Sequence, residues 1–526
     1  MTPDLGNGGQ WGAELWSLRE DVQVQPDSGD DLIQLRSHWG DIIIQRPAPV
    51  VREALRRMLL GPISLENVIG ARNGPAGHQA AAASLALLHQ VLDRLQPLVI
   101  RTLGIESGQP LLSVVPLTPQ SRFRPAPIPT ERRVRLSTFA QLGTDGREYR
   151  LESPLSLHRV LLHRPEALAL LGSLSRPVAA AVSMSAWPYS QSLAADALAY
   201  LAAIGMVVGA DDEAEDRIGV VEGTSRAGWS PADLMFHTRS NIGRHDLPTG
   251  RTYPMGHNGS PEPVVRPRSP DMGFPLHRPT WEALSAEPPL AVIMEGRRSM
   301  RRYGAAPVTA EELGDLLYRA ARVRSLILPS SESSAPAPGQ TPDRRLSDRP
   351  YPGGGACYEL ELYVTVGNCS GLSRGMYHYD PLGHSLEPVN KDHRLADRLL
   401  RAAADAAAIE SPPPVLITMT ARFRRLSWKY EGIAYSTVLK DVGVLLQNLY
   451  LVCTAMGLAP CALGSVNLEL TARAFGTDWR LEPSVGQFML GRAPTTPPAS
   501  QWHWEPANDA QWAEHARAIL RAVAQK

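Results

Sequence analysis

The sequence predicts an α+β protein of more than one domain, and three observations lead there. Its 526 residues are several times the roughly 100–200 of a single domain. The N-terminal half repeats a strand pair followed by helices, whereas the C-terminal half sets strand-like runs around one helical run, Val438 to Met456, that is apolar on nearly every face. A helix of that composition belongs inside a core, so a mixed sheet packed around it is expected.

Taken in order, Leu32 to Gln45 (LIQLRSHWGDIIIQ) alternates as a strand pair, and VREALRRML and AAASLALLHQVLDRL follow as helices, up to about Leu103. The pattern returns from Val134, with RRVRLSTFAQL and REYRL as strands, then SLHRVLLHRPEALALLGSL and SLAADALAYLAAIGMV as helices. In the last of these, Leu193, Ala197, Leu198, Leu201 and Ile204 fall three and four residues apart and give one buried face. A short helical domain with a strand ribbon is winged-helix-like, which sets two such domains at 1–110 and 111–221, the first a candidate for peptide recognition. A unit of this design binds peptide or DNA, or serves only as a scaffold. Residues 222–280 hold no sustained period and read as a linker, and 329–353 read as a Ser/Pro-rich mobile loop inside the final domain, 281–526.

That final domain has a helix start at Thr309-Ala-Glu-Glu312, a capping box in which the Thr hydroxyl and the Glu carboxylate satisfy the first free amides. Leu313, Leu316, Leu317 and Ala320 follow on one face. Leu360 to Val366 and Val415 to Thr420 read as strands, and the apolar helix stops at Gly457.

Composition narrows the class of function. With 43% hydrophobic and 20% charged residues there is material for real cores, yet no apolar run approaches the roughly 20 residues that cross a bilayer. The longest candidate, Ala194 to Ala210, is interrupted by Asp196. The start, MTPDLGNGG, lacks the basic and apolar segments of a signal peptide, and four cysteines without a CxxC pair suggest neither a disulfide framework nor a metal site. A cytoplasmic setting without membrane attachment is the expectation. Lys plus Arg (53) equals Asp plus Glu (53), so no basic field draws the chain to nucleic acid, and no nucleic-acid partner is expected. The only lysines are Lys391, Lys429, Lys440 and Lys526; every other basic residue is Arg. Lysine, unlike arginine, can lose its proton when desolvated.

Three clusters carry chemistry. Arg297-Arg298-Ser299-Met300-Arg301-Arg302-Tyr303 offers guanidinium forks and a hydroxyl, the donors a phosphate monoester demands, or else a solvated basic patch. Tyr351-Pro352-Gly353-Gly354-Gly355-Ala356-Cys357-Tyr358 lets backbone approach a planar ligand such as a flavin ring, or is simply a turn. It is neither a Walker A loop nor GxGxxG. Trp428-Lys429-Tyr430, with Tyr435 beyond, follows the strand ending at Thr420. There a desolvated lysine acts as base beside a phenol, or its stem merely packs on Trp428.

The order of these segments matters more than any one of them. The RRSxR opening, the glycine turn into LELYVTV, YHYDP (Tyr377 to Pro381), WKYEGIAY (Trp428 to Tyr435), DVGVLLQNLYLVCTAMGLAPCALGS (Asp441 to Ser465) and VGQFMLGR (Val485 to Arg492) together resemble the SagB/ThcOx-type peptide dehydrogenases of the nitroreductase superfamily over about 285–494. Trp229 with Phe236-His-Thr-Arg-Ser240, and Trp39-Gly-Asp with Leu60-Gly-Pro and Asn67-Val, more weakly resemble the accessory region of some members.

The resemblance implies a nitroreductase-like FMN enzyme, a homodimer that oxidises thiazoline or oxazoline rings of a ribosomally made peptide to thiazoles or oxazoles, with oxygen as the expected final acceptor. By match to the family's motif, Arg297, Arg298 and Ser299 would hold the FMN phosphate, with Arg301 near the ring. Pro352, Gly353, Gly354 and Gly355 would cover the flavin edge, Gly464 and Ser465 would lie near its pyrimidine part, and Lys429 with Tyr430 would be the catalytic pair. The chain departs from the family pattern in having Gly353 for Ser, Glu359 for Pro and Ser465 for a second Gly. A removable proton α to the azoline carbonyl and a hydride on the ring carbon beside S or O fit such chemistry, Lys429 or Tyr430 serving as base or orienting it. Implied partners are a precursor peptide, its leader gripped by strand addition to the winged-helix-like ribbon, and a cyclodehydratase complex. Two other readings remain open: an NAD(P)H-dependent reductase of a small molecule or of dehydroamino acids in a peptide, and a non-catalytic peptide- or DNA-binding protein.

Overall fold

The computed structural model describes residues 13–26, 31–70, 75–105, 108–144, 146–185, 187–210, 228–255, 261–267, 273–327, 345–495 and 510–524. The chain divides into two compact units, Met1–Leu247 and Pro248–Lys526.

In the first unit a six-stranded antiparallel sheet runs in the order Ala13–Leu18, Val99–Gly104, Pro110–Pro116, His158–Leu162, Tyr149–Glu152, Gln141–Thr144. It draws strands from both sides of residue 110. The apolar residues nevertheless gather in two clusters, one between Trp16 and Val99 and one between Leu103 and Val207. Helices Pro49–Met58 and Pro75–Arg94 and the meander Gln23–Pro26, Leu32–Ser37, Gly40–Gln45 belong to the first. Helix Gln191–Ala203 belongs to the second and buries Leu193, Ala197, Leu198 and Leu201 as its spacing predicts.

One segment differs from expectation. SLHRVLL, read as the start of a helix, is the strand His158–Leu162. His158, Val160 and Leu162 are buried in strict alternation, both edges of the strand are paired, and the helix begins only at Pro165, where the missing amide costs nothing. Within 222–280 the chain forms the helix Pro231–Arg239, capped by Ser230 accepting the Asp233 amide at 3.1 Å.

The second unit is a three-layer α+β arrangement. Its seven-stranded sheet runs Phe274–Pro275, Ser385–Asn390, Gly375–Asp380, Leu360–Val366, Val415–Ala421, Ser484–Arg492, Leu458–Leu463, every neighbour antiparallel. A parallel pairing joins Val308–Thr309 to Cys369–Ser370. Alternate residues of the central strands face opposite layers. Leu362, Val364, Ile417 and Phe488 pack with helices Ala310–Ala321 and Ala434–Ala455. Tyr363, Leu416 and Met489 pack with helices His393–Ala406 and Leu468–Phe475. The Thr309 capping box forms in full. Of the loop expected over 329–353, residues up to 344 lie outside the described residues, and Leu346–Asp348 is a short strand.

Helix Ala434–Ala455 runs through the centre of this unit, but two expectations about it need correction. It is long and apolar enough, by length and composition, to cross a membrane. It is also not buried on every face. Val438, Val442, Leu445, Leu449 and Cys453 enter the core, while Tyr435, Leu439 and Val444 stay exposed.

Candidate functional site

The arginine-rich segment begins where helix Leu290–Gly296 ends, at Arg297. Its backbone is laid against the sheet edge: the Met300 amide donates to the Pro460 carbonyl at 2.7 Å, and the Gly304 amide to the Arg492 carbonyl at 2.9 Å. Tyr303 covers Gly491 so closely that a Cβ there would collide with its ring. Ser299 Oγ lies 2.7 Å from the Tyr450 hydroxyl, which also accepts the Ala462 amide at 2.8 Å. The Arg297 guanidinium carbon sits 5.2 Å from the Tyr450 ring centre. Arg298 and Arg301 are exposed. Gly464 and Ser465, also exposed, leave the end of the same strand, Leu458–Leu463, that holds this loop.

The glycine turn meets the lysine segment. Lys429 Nζ donates to the Gly355 carbonyl at 2.9 Å. Gly355 has φ +57°, a conformation side chains rarely adopt, and a Cβ there would strike the Tyr430 hydroxyl and come within 2.6 Å of Lys429 Nζ. On the turn's other side the Gly354 amide donates to Asp441 Oδ2 at 2.8 Å, and a Cβ at Gly354 would collide with Thr437. Pro352 is exposed, while Gly353 is half-buried. Arg425 is buried and fixes the turn's far end, donating from Nε to the Cys357 carbonyl at 2.6 Å.

Lys429 does not directly follow the buried strand; the short helix Phe423–Ser427 intervenes. Both Lys429 and Tyr430 are half-buried. Burial pushes the Tyr430 phenol above its usual range, helped by Cys357, so it is an uncharged donor at neutral pH. The stretch 248–255 braces this corner: Gly250 and Glu431 exchange backbone hydrogen bonds at 3.0 Å each way, the Tyr253 amide reaches the Lys429 carbonyl at 3.3 Å, and the Tyr253 ring meets Trp428 edge-on at 5.2 Å.

Two sequence-distant groupings thus form, Arg297/Ser299 with the strand that ends before Gly464, and Gly353–Gly355 with Lys429 and Tyr430. Helix Ala434–Ala455 holds both, the second through Asp441 and the first through Tyr450, nine residues on and about 14 Å along the axis. A basic, hydroxyl-lined end and a glycine cradle that a Cβ would fill suit an extended ligand with a phosphate and a flat ring. Sequence reasoning missed Asp441, Tyr450, Glu359 and Tyr253. Asp441 was open to discovery as an acid inside an apolar helix. Nothing in the sequence marks Tyr253. Among the described residues no group of three or more His, Cys, Asp or Glu side chains is placed to hold a metal ion.

Residues 294–492 match the Nitroreductase family, and residues 134–246 match cyanobactin oxidase ThcOx. MJ1384 of Methanocaldococcus jannaschii, named as a nitroreductase, is 31% identical over 169 residues, 32% of this chain and 75% of that protein. The Escherichia coli microcin B17-processing protein McbC is 28% identical over 154 residues, 28% of this chain and 56% of McbC, so the match spans little more than half of McbC. A solved structure of the Escherichia coli microcin synthetase McbBCD complex with truncated pro-MccB17 bound matches at 23% identity and a TM-score of 0.29, covering 37% of this chain and 70% of that one. The chain belongs to the nitroreductase family of oxidoreductases.

Proposed function

We propose that the protein is an FMN-dependent azoline dehydrogenase, oxidising thiazoline or oxazoline rings in a ribosomally synthesised peptide to thiazoles or oxazoles. The observation that carries this reading is the meeting of Lys429, Tyr430 and the glycine turn at Gly355, an amine and a phenol packed against a backbone with no room for a Cβ. The likeness of 134–246 to a cyanobactin oxidase and of the chain to McbC supports a peptide substrate.

Arg297, Arg298 and Ser299 would hold the FMN phosphate by charge-assisted bonds, and Gly353–Gly355 would let backbone reach the ring. Bound FMN supplies the hydride acceptor. Lys429 takes the proton from the azoline carbon α to the carbonyl, with Tyr430, which burial holds protonated, as the donor beside it. Tyr430 donates a hydrogen bond and orients the ring. Loss of that proton and of a hydride from the carbon beside S or O leaves the aromatic azole. The first unit would bind a leader segment, and the second would dimerise and work beside a cyclodehydratase.

The test is aerobic incubation of the purified protein with an azoline-containing peptide. The expected result is a yellow protein and a peptide lighter by two hydrogens per ring. A colourless protein whose peptide is unchanged after FMN is added would overturn the reading.

A further inference from the structure

Glu359 follows the glycine turn and is 0% exposed, and neither of its carboxyl oxygens takes a hydrogen bond from a donor group among the described residues, which leaves the Asp441 carboxyl as its side-chain partner. A buried, unpaired carboxylate costs far more than a carboxylic acid in the same place. Its charged neighbour is Asp441, 7% exposed, whose Oδ2 accepts the Gly354 amide at 2.8 Å. One residue further along, the Gly355 carbonyl holds Lys429 Nζ at 2.9 Å. The turn has no room to shift: Thr437, one helical turn before Asp441, closes on Gly354, and Tyr430 closes on Gly355.

We propose that Asp441 and Glu359 are positioning residues for Lys429, a carboxylate and a carboxylic acid holding one proton between them, whose grip on the Gly354 amide fixes the Gly355 carbonyl and with it the lysine amine. This rests on the role given to Lys429 above and adds to it two residues to which the resemblance assigns no role; it has Pro at the position of Glu359.

Two buried carboxyls in contact do not both ionise at neutral pH. Burial first, and the Asp441 charge second, push Glu359 up to about 8, and burial raises Asp441 as well. Arg349 opposes the shift at Glu359 and Lys440 opposes it at Asp441. The other titratable groups facing the pair are Tyr351, Cys357 and Tyr430, each raised by burial, with Arg425 and Lys429 acting on Cys357. As pH rises through the Glu359 value, a second negative charge appears beside Asp441 and the grip on Gly354 weakens. The effect is complete near neutral pH and lost on the alkaline side, the sign required of an acid whose folded pKa is raised.

The test uses the full-length protein with FMN bound. Infrared titration between about pH 6 and 10 should show the C=O stretch of a protonated carboxyl at neutral pH, fading near pH 8 and absent from Glu359→Gln. Hydrogen exchange over residues 351–358, corrected for the intrinsic rate, should accelerate over that range in the wild type but not in Glu359→Gln. In Asp441→Ala it should be about tenfold faster at neutral pH, and Asp441→Asn, which keeps an acceptor oxygen, should restore slow exchange. In azoline oxidation Asp441→Ala should lower kcat about tenfold with KM little changed. A missing carboxyl band, or one that persists in Glu359→Gln, overturns the proton pairing. Exchange or kcat unmoved by Asp441→Ala overturns the positioning role. If band and exchange behave as expected while the wild type oxidises no azoline, the proposed function falls and the grip on the turn stands.

Discussion

Ser299 and Tyr450 meet hydroxyl to hydroxyl at 2.7 Å, and the same phenol oxygen takes the Ala462 amide at 2.8 Å. One side chain of the core helix therefore ties the arginine-rich loop to the edge strand. Tyr450→Phe keeps the ring under Arg297 and removes only these two bonds. A net loss of about 1 kcal/mol for each should weaken FMN binding roughly 5- to 30-fold, measured by quenching of flavin fluorescence on titration into apoprotein. Unchanged affinity would mean that the loop needs no such anchor.

Gly355→Ala tests the cradle. The new methyl would meet a φ of +57° and the Tyr430 hydroxyl together, so the turn or the Lys429–Tyr430 pair must move. Azoline turnover should fall by at least about tenfold, because displacements of about 1 Å at a reacting group cost that much or more. Near wild-type turnover with circular dichroism unchanged would remove the turn from the site.

Much of the second unit was legible because its signals are local. The Thr309 capping box, the strand Leu360–Val366 and the apolar helix each follow from residues adjacent in sequence. The strand His158–Leu162 was misread because its apolar positions also satisfy a helical spacing, and only pairing on both edges decides between them. The same limit applies to the site. Lys429 stood out as a rare residue type, but its partner at Gly355 lies 74 positions away, and Tyr450 serves Ser299 across 151. Such contacts are made by topology, which no sequence window contains.

The outward face of helix Ala434–Ala455 predicts assembly. Tyr435 is 44% and Leu439, one helical turn on, 39% exposed, an apolar patch that a second copy would cover. Light scattering should give twice the 57.2 kDa chain mass. Leu439→Glu should shift the protein toward the monomer and lower FMN occupancy with it. A wild-type monomer that retains FMN would contradict the prediction.

Acid should destabilise the second unit through Glu361. Its carboxylate is buried between the Arg422 guanidinium at 2.7 Å and His378 Nε2 at 2.7 Å. Burial alone would raise this carboxyl, but Arg422 foremost and His378 outweigh it and hold it well below the usual carboxylate range. A depressed folded pKa adds stability above the unfolded value, about 4.5, and that stability is lost as pH falls below it. Glu361→Gln, which leaves Arg422 without its buried counter-charge, should cost about 3–5 kcal/mol at neutral pH by urea unfolding and flatten the decline on the acid side. Equal stability of variant and wild type at neutral pH would mean that the pair contributes nothing net.

Lys429 is the sharpest test of the proposed chemistry, because its amine donates to the Gly355 backbone carbonyl and not to a carboxylate among the described residues. Lys429→Ala removes the amine and leaves the Arg297 end of the site and the exposed helix face intact, so the protein should stay yellow and dimeric while azoline oxidation falls by about 10²–10⁴-fold, the usual effect of losing a general base. Lys429→Arg separates base from prop. Arginine can still donate to the Gly355 carbonyl and fill much of the same space, but it keeps its proton at every accessible pH and cannot take another. If the amine is the base, the arginine variant should be nearly as slow as the alanine one. If Lys429→Arg instead turns over at the wild-type rate, the lysine is a strut for the glycine turn, and the base must be sought elsewhere.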